Sequence, residues 1–269
     1  MPANRTPLAT RFMRLARLAL HIARGLAIVW LHFPRLSATA RHAAMRRWSR
    51  TLLAIISVSV REVHVPKALP PRCMLAMNHI SWLDIFVIDA HFPATFVAKS
   101  EIRNWLVVGW LCTQVGTLYI ERGKRAAVRR ARETISEMLA RGTLIAICPE
   151  GKTTFGRSLG RFHAALFQPA IDAEAMLQPV ALRYLDPSGR HTDAAAYAGE
   201  TSLLESLWNI VSTRHMRAEI NFLTPISAEG ETRRPLAEQA EIAIAAALGV
   251  RRPHSSRMAP ETDADPPDG

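Results

Sequence analysis

His79 and Asp84 stand five positions apart in the string Asn78-His79-Ile80-Ser81-Trp82-Leu83-Asp84, directly after an apolar run, Arg72 to Met77, that reads as a buried strand. Neutral imidazole can take a hydroxyl proton near pH 7, as transfer of an acyl group to an alcohol requires, and a neighbouring carboxylate can hold the ring and stabilise its charged form. Inside one regular helix the two side chains point about 140° apart. They pair only if His79 lies in the loop and Asp84 in the first helical turn. Ser81 favours that placement, because Ser-x-x-Asp is the spacing of a capping-box variant with Ser81 as N-cap. The same spacing lets Asp84 serve as no more than a cap, and a single histidine beside an apolar strand is often structural. On these residues alone the two readings stand level.

Three further strings carry groups of chemical interest. In Gly116-Thr117-Leu118-Tyr119-Ile120-Glu121-Arg122 a short strand leads to an arginine whose guanidinium can grip a phosphate at a sheet edge, though a solvated arginine is the default there. In Ile147-Cys148-Pro149-Glu150-Gly151-Lys152-Thr153-Thr154 a strand runs into a polar turn. Gly151 permits close backbone approach to a ligand, and Glu150 either hydrogen-bonds a substrate hydroxyl or organises a pocket. An ordinary polar loop with an ion pair fits the same residues. In Leu177-Gln178-Pro179-Val180-Ala181 a proline inside an apolar strand marks an edge, a bend or a pocket wall.

The elements that must position these strings are strands alternating with helices. Residues 57–65, 72–77, 96–98, 117–120, 144–148, 177–184 and 219–223 read as strands. Between Lys124 and Arg141, Val128, Ala131, Ile135 and Met138 recur at helical spacing, with Gly142 as a stop. The fold class expected is α/β, a mixed and largely parallel sheet flanked by helices. An α/β domain over 57–249 follows a helical arm over 1–56. Residues 250–269 lack an apolar period and read as a disordered tail.

The formal charge of +11 is concentrated in the arm, where residues 1–50 hold ten arginines and no acidic residue. Arg11, Arg14, Arg17, His21 and Arg24 step by three and four and fall on one helix face; Phe12, Leu15, Ala19, Ile22, Leu26, Val29 and Phe33 occupy the other, and Pro34 ends the run. The uncharged stretch from Gly25 to Phe33 is far short of the roughly 20 apolar residues that span a bilayer. An amphipathic helix in the membrane interface fits it, with residues 51–56 as part of a second arm dipping into one leaflet, and an amphipathic helix packed on the domain is the alternative. Arginines near an anionic surface contribute about 1 kcal/mol each. No nucleic-acid recognition motif accompanies the charge, so nucleic acid is not an expected partner. Cys73, Cys112 and Cys148 are odd in number and widely spaced, which suits neither a disulfide framework nor a metal site. A His/Asp hydrolase needs Ser81 or a cysteine as nucleophile, and neither sits in a G-x-S-x-G elbow.

Taken together and in this order, NHISWLD, GTLYIER, CPEGKTT and QPV, across residues 78 to 180, resemble the 1-acylglycerol-3-phosphate acyltransferase family of glycerolipid synthesis. That family shows NHxxxxD, GxxFIxR, FPEGTRS and a strand around V-P-V. The resemblance implies His79 as general base on a lysolipid hydroxyl and Asp84 as its orienting partner. It implies an acceptor site containing Asn78, Arg122, Glu150, Gly151, Lys152 and Thr153, and Lys99 in VAKSE is similar to a family lysine that helps hold phosphate. It further implies an acyl thioester of acyl carrier protein or coenzyme A as donor, no metal or bound cofactor, membrane lipids as partners, and a place on the cytoplasmic face of a bacterial inner membrane. Lys152 stands where the family usually has Thr, and Thr153 where many members have Arg, which weakens the inference to a phosphate-bearing acceptor. The PEG-x-T-T form, with Phe162 to Phe167 and QPVALRY after it, also resembles enzymes that acylate lyso-ornithine lipid.

Overall fold

The computed structural model describes residues 5–121 and 125–252. Among them the strands are β1 (Val58–Glu62), β2 (Cys73–Met77), β3 (Thr95–Lys99), β4 (Leu118–Ile120), β5 (Ile145–Ile147), β6 (Met176–Leu185), β7 (Met216–Phe222) and β8 (Ile226–Ser227). They form one sheet in the order β1-β7-β6-β2-β5-β3-β4, with β8 beside β6. Pairing is parallel except where β6 meets β7 and β8. All five residues of β2 are buried, as expected of a strand whose two faces are both covered by helices.

One face carries α2 (Ala38–Ile55), α3 (Leu83–Asp89) and α7 (Leu203–Ser212) over a core built around Leu75, Met77, Leu83, Ile88, Val180 and Ile210. The other carries α5 (Arg125–Ala140), α6 (Gln168–Asp172) and α8 (Arg233–Leu248) over Met74, Ala76, Ile135, Leu139, Leu177 and Ile244. In α5 the inward stripe is Ile135 and Leu139, and Gly142 follows at φ 82, a left-handed turn that suits a residue without Cβ. A short helix, α4 (Leu106–Gln114), precedes β4. Pro179 does not lie at a sheet edge as one expectation had it: β6 is central. Its carbonyl accepts from Leu223 N–H on the β7 side, and the proline falls in the interval where the antiparallel partner changes from β8 to β7. No ladder bond is required there of its missing N–H.

The N-terminal arm is a helical hairpin, α1 (Leu8–Leu31) and α2, joined by a 3-10 turn over Phe33–Arg35. The two helices approach closely at Gly25, where a Cβ would come within 2.5 Å of the Trp48 indole, and Trp48 stacks on His21 at 4.7 Å between ring centroids. Two expectations for this arm are corrected. Leu52, Leu53, Ile55 and Ile56 do not dip into a leaflet; they are buried in the same core as the sheet. Arg14 does not share an outward face with Arg17 and Arg24. It is turned inward and donates to the carbonyls of Val211, Thr213 and Arg214 and to Ser57 Oγ. These carbonyls belong to the C-terminal end of α7, which has no intrahelical donors of its own, and a cation there also matches the helix dipole. Thr6 adds bonds to Val211 O and Ser212 O. Among the described residues no helix is long and apolar enough to cross a membrane. At the other terminus α8 ends on Gly249 at φ 67, and Arg252 bonds Glu241 and Glu238. Residues 250–252 are therefore held to the body, and the rest of the expected tail lies outside the described residues.

Arg14→Ala strips four polar groups of their shared donor and is expected to lower the unfolding free energy by about 2–4 kcal/mol in chemical denaturation. Arg17→Ala, at an exposed position on the same helix, is expected to stay within about 0.5 kcal/mol of the parent.

Candidate active site

The carboxyl ends of β2, β5 and β3 open on one edge of the sheet, where open α/β sheets place ligands. From β2 the chain leaves through Asn78 and His79 and turns into α3. Asn78 is buried and exchanges two hydrogen bonds with the Leu182 backbone on β6, at 2.9 and 2.8 Å. It pins the strand end to β6 through one amide N–H and its carbonyl oxygen. His79 lies in the loop, and its Nδ1 meets Asp84 Oδ2 at 2.8 Å. The side chain of His79 remains 22% exposed while that of Asp84 is fully buried.

Asp84 does more than hold the ring. Its Oδ2 also accepts the backbone N–H groups of Ile80 and Ser81, at 2.8 and 2.9 Å, and its Oδ1 accepts the Tyr184 hydroxyl at 2.8 Å. The capping and orienting readings thus describe the same carboxylate. The helix starts one residue later than the spacing suggested, with Trp82 as N-cap, and Ser81 Oγ accepts from Leu83 N–H. Only the half of the capping box that runs from Asp84 back to Ser81 is formed. Burial raises the Tyr184 pKa well above its usual value, and the Asp84 charge adds to that, so Tyr184 donates. Burial acts against a charged His79, but Cys148 and the Asp84 carboxylate outweigh it and hold the imidazole pKa well above its ordinary value.

The loop after β5 is folded onto His79. Glu150 is buried, with Oε1 accepting His79 N–H at 2.8 Å and Oε2 accepting Gly160 N–H at 2.6 Å. Burial raises its pKa. Both oxygens accept backbone N–H groups, so Glu150 joins the start of the His79 loop to Gly160 and organises this corner of the site. Gly160 is required by that contact, since a Cβ would meet Glu150 Oε2 at 2.7 Å. Gly151 sits at φ 68 in a turn closed by its N–H on Cys148 O. Thr153 Oγ1 donates to Tyr197 O, and Thr154 N–H donates to His79 O at 2.8 Å. Lys152 is exposed. Lys99 is exposed at the end of β3, two strands from β2 along the same sheet edge. Arg122 lies outside the described residues. Among the described residues no group of three or more His, Cys, Asp or Glu side chains is placed to hold a metal ion.

A family model described as Acyltransferase matches residues 60–183. A 1-acyl-sn-glycerol-3-phosphate acyltransferase of Neisseria meningitidis serogroup B is 34% identical over 92% of this chain and 97% of its own length. The chain belongs to the acyltransferase family. A lyso-ornithine lipid O-acyltransferase of Pseudomonas aeruginosa is 35% identical over the same shares, 92% and 97%. A crystal structure of the 1-acyl-sn-glycerophosphate acyltransferase from Thermotoga maritima shares the fold, with a TM-score of 0.63 at 15% identity, covering 89% of this chain and 96% of that one.

In this acyltransferase several residues of the site escaped the sequence reading. Tyr184 was visible only as the last residue of QPVALRY; the strand register that brings it to Asp84 is a property of the sheet. Gly160 acts through its backbone N–H and has no side-chain signature, whereas Thr154 holds His79 O through both its N–H and its Oγ1, a contact that only the folded loop brings about. Cys148 follows β5 directly, and its effect on the His79 pKa depends on β5 and β2 being neighbours, which three widely spaced cysteines in a sequence do not reveal.

A pH profile separates the roles of the pair. A general base must be neutral to act, so with His79 in that role kcat/KM is expected to rise with pH through the elevated His79 pKa. Asp84→Asn removes an anion that favours imidazolium, so the rising limb moves to lower pH, while loss of ring orientation lowers the plateau by about 10²–10⁴-fold. A limb that stays in place would show that Asp84 does not set the protonation of His79. Tyr184→Phe is expected to cost about 1.5–3 kcal/mol of stability, the range for a hydrogen bond to a charged group.

Proposed function

We propose that this acyltransferase moves a fatty acyl chain from the thioester of acyl carrier protein or coenzyme A to the free hydroxyl of a lysolipid, with 1-acyl-glycerol-3-phosphate as acceptor and phosphatidic acid as product. The observation that carries the reading is the His79–Asp84 pair, held at the carboxyl edge of the sheet by a carboxylate with four partners. With Nδ1 bound to Asp84, Nε2 is the ring nitrogen left to take the hydroxyl proton as the oxygen attacks the thioester carbonyl. Collapse of the tetrahedral intermediate breaks the carbon–sulfur bond and expels the thiolate, which takes that proton back from His79, so the chemistry needs no metal or bound cofactor. Lys99, Lys152 and Arg122 are the cations we assign to the acceptor's phosphate.

A second acceptor, lyso-ornithine lipid, is favoured by Lys152-Thr153 in place of Thr-Arg and by the relative of that name in Pseudomonas aeruginosa. Purified protein offered both lysolipids with an acyl thioester is expected to acylate 1-acyl-glycerol-3-phosphate faster, and faster acylation of lyso-ornithine lipid would reverse the assignment. His79→Ala is expected to lower turnover by about 10²–10⁴-fold with the fold intact by circular dichroism. Turnover within a few-fold of the parent would remove His79 from the mechanism.

We also assign the hairpin to the surface of a membrane, on the cytoplasmic side. Leu20, Trp30 and Leu31 are exposed along α1 in an arm whose remaining arginines can meet anionic headgroups. Because Arg14 and Leu18 are tied into the domain, deleting the arm also removes structural contacts. The triple change Leu20→Glu, Trp30→Glu, Leu31→Glu touches only exposed positions and is expected to reduce binding to phosphatidylglycerol vesicles by at least about tenfold. Undiminished binding would place the membrane contact elsewhere.

A further inference from the structure

Lys99 ends β3 at a level that the sheet register sets. Thr95 stands opposite Ile145, and Ile145 opposite Met74, so Lys99 and Asn78, each four residues further along its strand, leave the sheet at the same level with β5 between them. At about 4.8 Å per strand the two exits are about 10 Å apart. From Lys99 the chain passes through a 3-10 turn over Ser100–Asn104 into α4, which touches α1 of the arm. No charged residue occurs from Trp105 to Ile120, while Lys99 and Arg103, just before, are exposed. A helix that is apolar all round, as α4 is from Leu106 to Cys112, is ordinarily buried. Here Trp105 at the N-cap, Val107, Val108 and Trp110 are each more than a third exposed, and among the described residues of α4 only Gly109 is buried.

The helix is held by its backbone instead of by its apolar side chains. Gly109 rests on the 3-10 turn, where a Cβ would run into the carbonyls of Ile102 and Arg103. Its own carbonyl accepts Thr113 Oγ1 at 2.8 Å and the Tyr119 hydroxyl at 3.1 Å. The two indoles and two valines thus form a firm outward surface, and an exposed apolar patch with a polar rim marks a contact site. We propose that α4 is a second membrane contact, separate in sequence from the arm, which enters the same leaflet and seats the carboxyl edge of the sheet against it. This rests on the membrane reading of the arm and extends it to the catalytic side. The occupant follows from composition and place. Tryptophans beside Lys and Arg are the residues of a membrane–water interface, and α4 meets α1, so its face continues the apolar surface that Leu20, Trp30 and Leu31 expose. With the indoles in the leaflet, Lys99 and Arg103 lie at headgroup depth, at the level where His79 leaves the sheet. A lysolipid then reaches the histidine by lateral movement, without leaving the bilayer.

The test uses the full chain and phosphatidylglycerol vesicles. Trp30→Phe with Trp208→Phe removes the exposed indoles of α1 and α7; Trp48 and Trp82 are half-buried, which leaves Trp105 and Trp110 as the exposed pair. In that background, phosphatidylglycerol brominated on its acyl chains is expected to quench tryptophan emission, and adding Trp105→Phe and Trp110→Phe is expected to remove most of the quenching. Val108→Glu with Trp110→Glu is expected to weaken vesicle binding by at least about tenfold; if that variant is misfolded by circular dichroism, the phenylalanine series decides. Quenching that is absent in the background variant while it binds vesicles, or that survives the loss of Trp105 and Trp110, overturns the proposal and leaves the arm as the membrane contact. If the parent does not bind the vesicles, the membrane reading of the arm falls with it. A concentration-dependent dimer in the absence of lipid, dispersed by Val108→Glu with Trp110→Glu, gives the face to a second copy of the chain and overturns the proposal as well.

Discussion

The buried Asp84 carboxylate is the group on which the site depends. A fully desolvated anion costs several kcal/mol, and here four donors offset it: the His79 ring, two backbone N–H groups and the Tyr184 hydroxyl. Each bond of this type contributes about 1.5–3 kcal/mol, so the set is of the size the burial demands. Its arrangement has a geometric consequence. The same oxygen that closes the first turn of α3 holds the imidazole, so the position of the His79 ring is fixed by the start of a helix and by a tyrosine on β6, the strand next to β2.

Around that centre, most of the polar residues in the NHISWLD and CPEGKTT strings serve backbone. Asn78 ties the end of β2 to β6, Glu150 bridges the His79 and Gly160 amides, and Thr153 and Thr154 join the loop after β5 to residues 197 and 79. A side chain on a loop has the precision of its loop, and these contacts give the loop that carries His79 the definition of a strand end. The groups left facing outward, Lys99 and Lys152, are long and cationic, and it is to these that we assign an anionic headgroup.

The arm shows how one helix can meet two environments. Its inner residues, Arg14, Leu18, Gly25 and Val29, are committed to α7, α2 and the core, while Phe12, Leu20 and Trp30 remain exposed. Arg14 caps the end of α7, and the apolar end of α2 enters the core on the same side as α3. The hairpin and the sheet share a core across residue 56, so movement of one is resisted by packing against the other.

The sequence by itself determined the α/β class, seven of the strands within a residue or a few of their ends, the long helix before β5 and the strings that carry His79, Asp84 and Glu150. Those features are local: alternation, apolar runs and turn residues express themselves over a few positions. It could not decide between cap and orienting partner for Asp84, between a membrane face and a core face for Arg14 and Leu52, or between an edge and a central place for Pro179. Nor could it find Tyr184 or bring Cys148 to bear on His79. Each of these is settled by which strands are neighbours and in what register, and by which side of a helix meets another, and such contacts join residues 100 positions apart, as with Asp84 and Tyr184, or 197, as with Arg14 and Val211. Periodicity marks a face as apolar or charged, but only the packed neighbour decides whether that face meets protein, lipid or water.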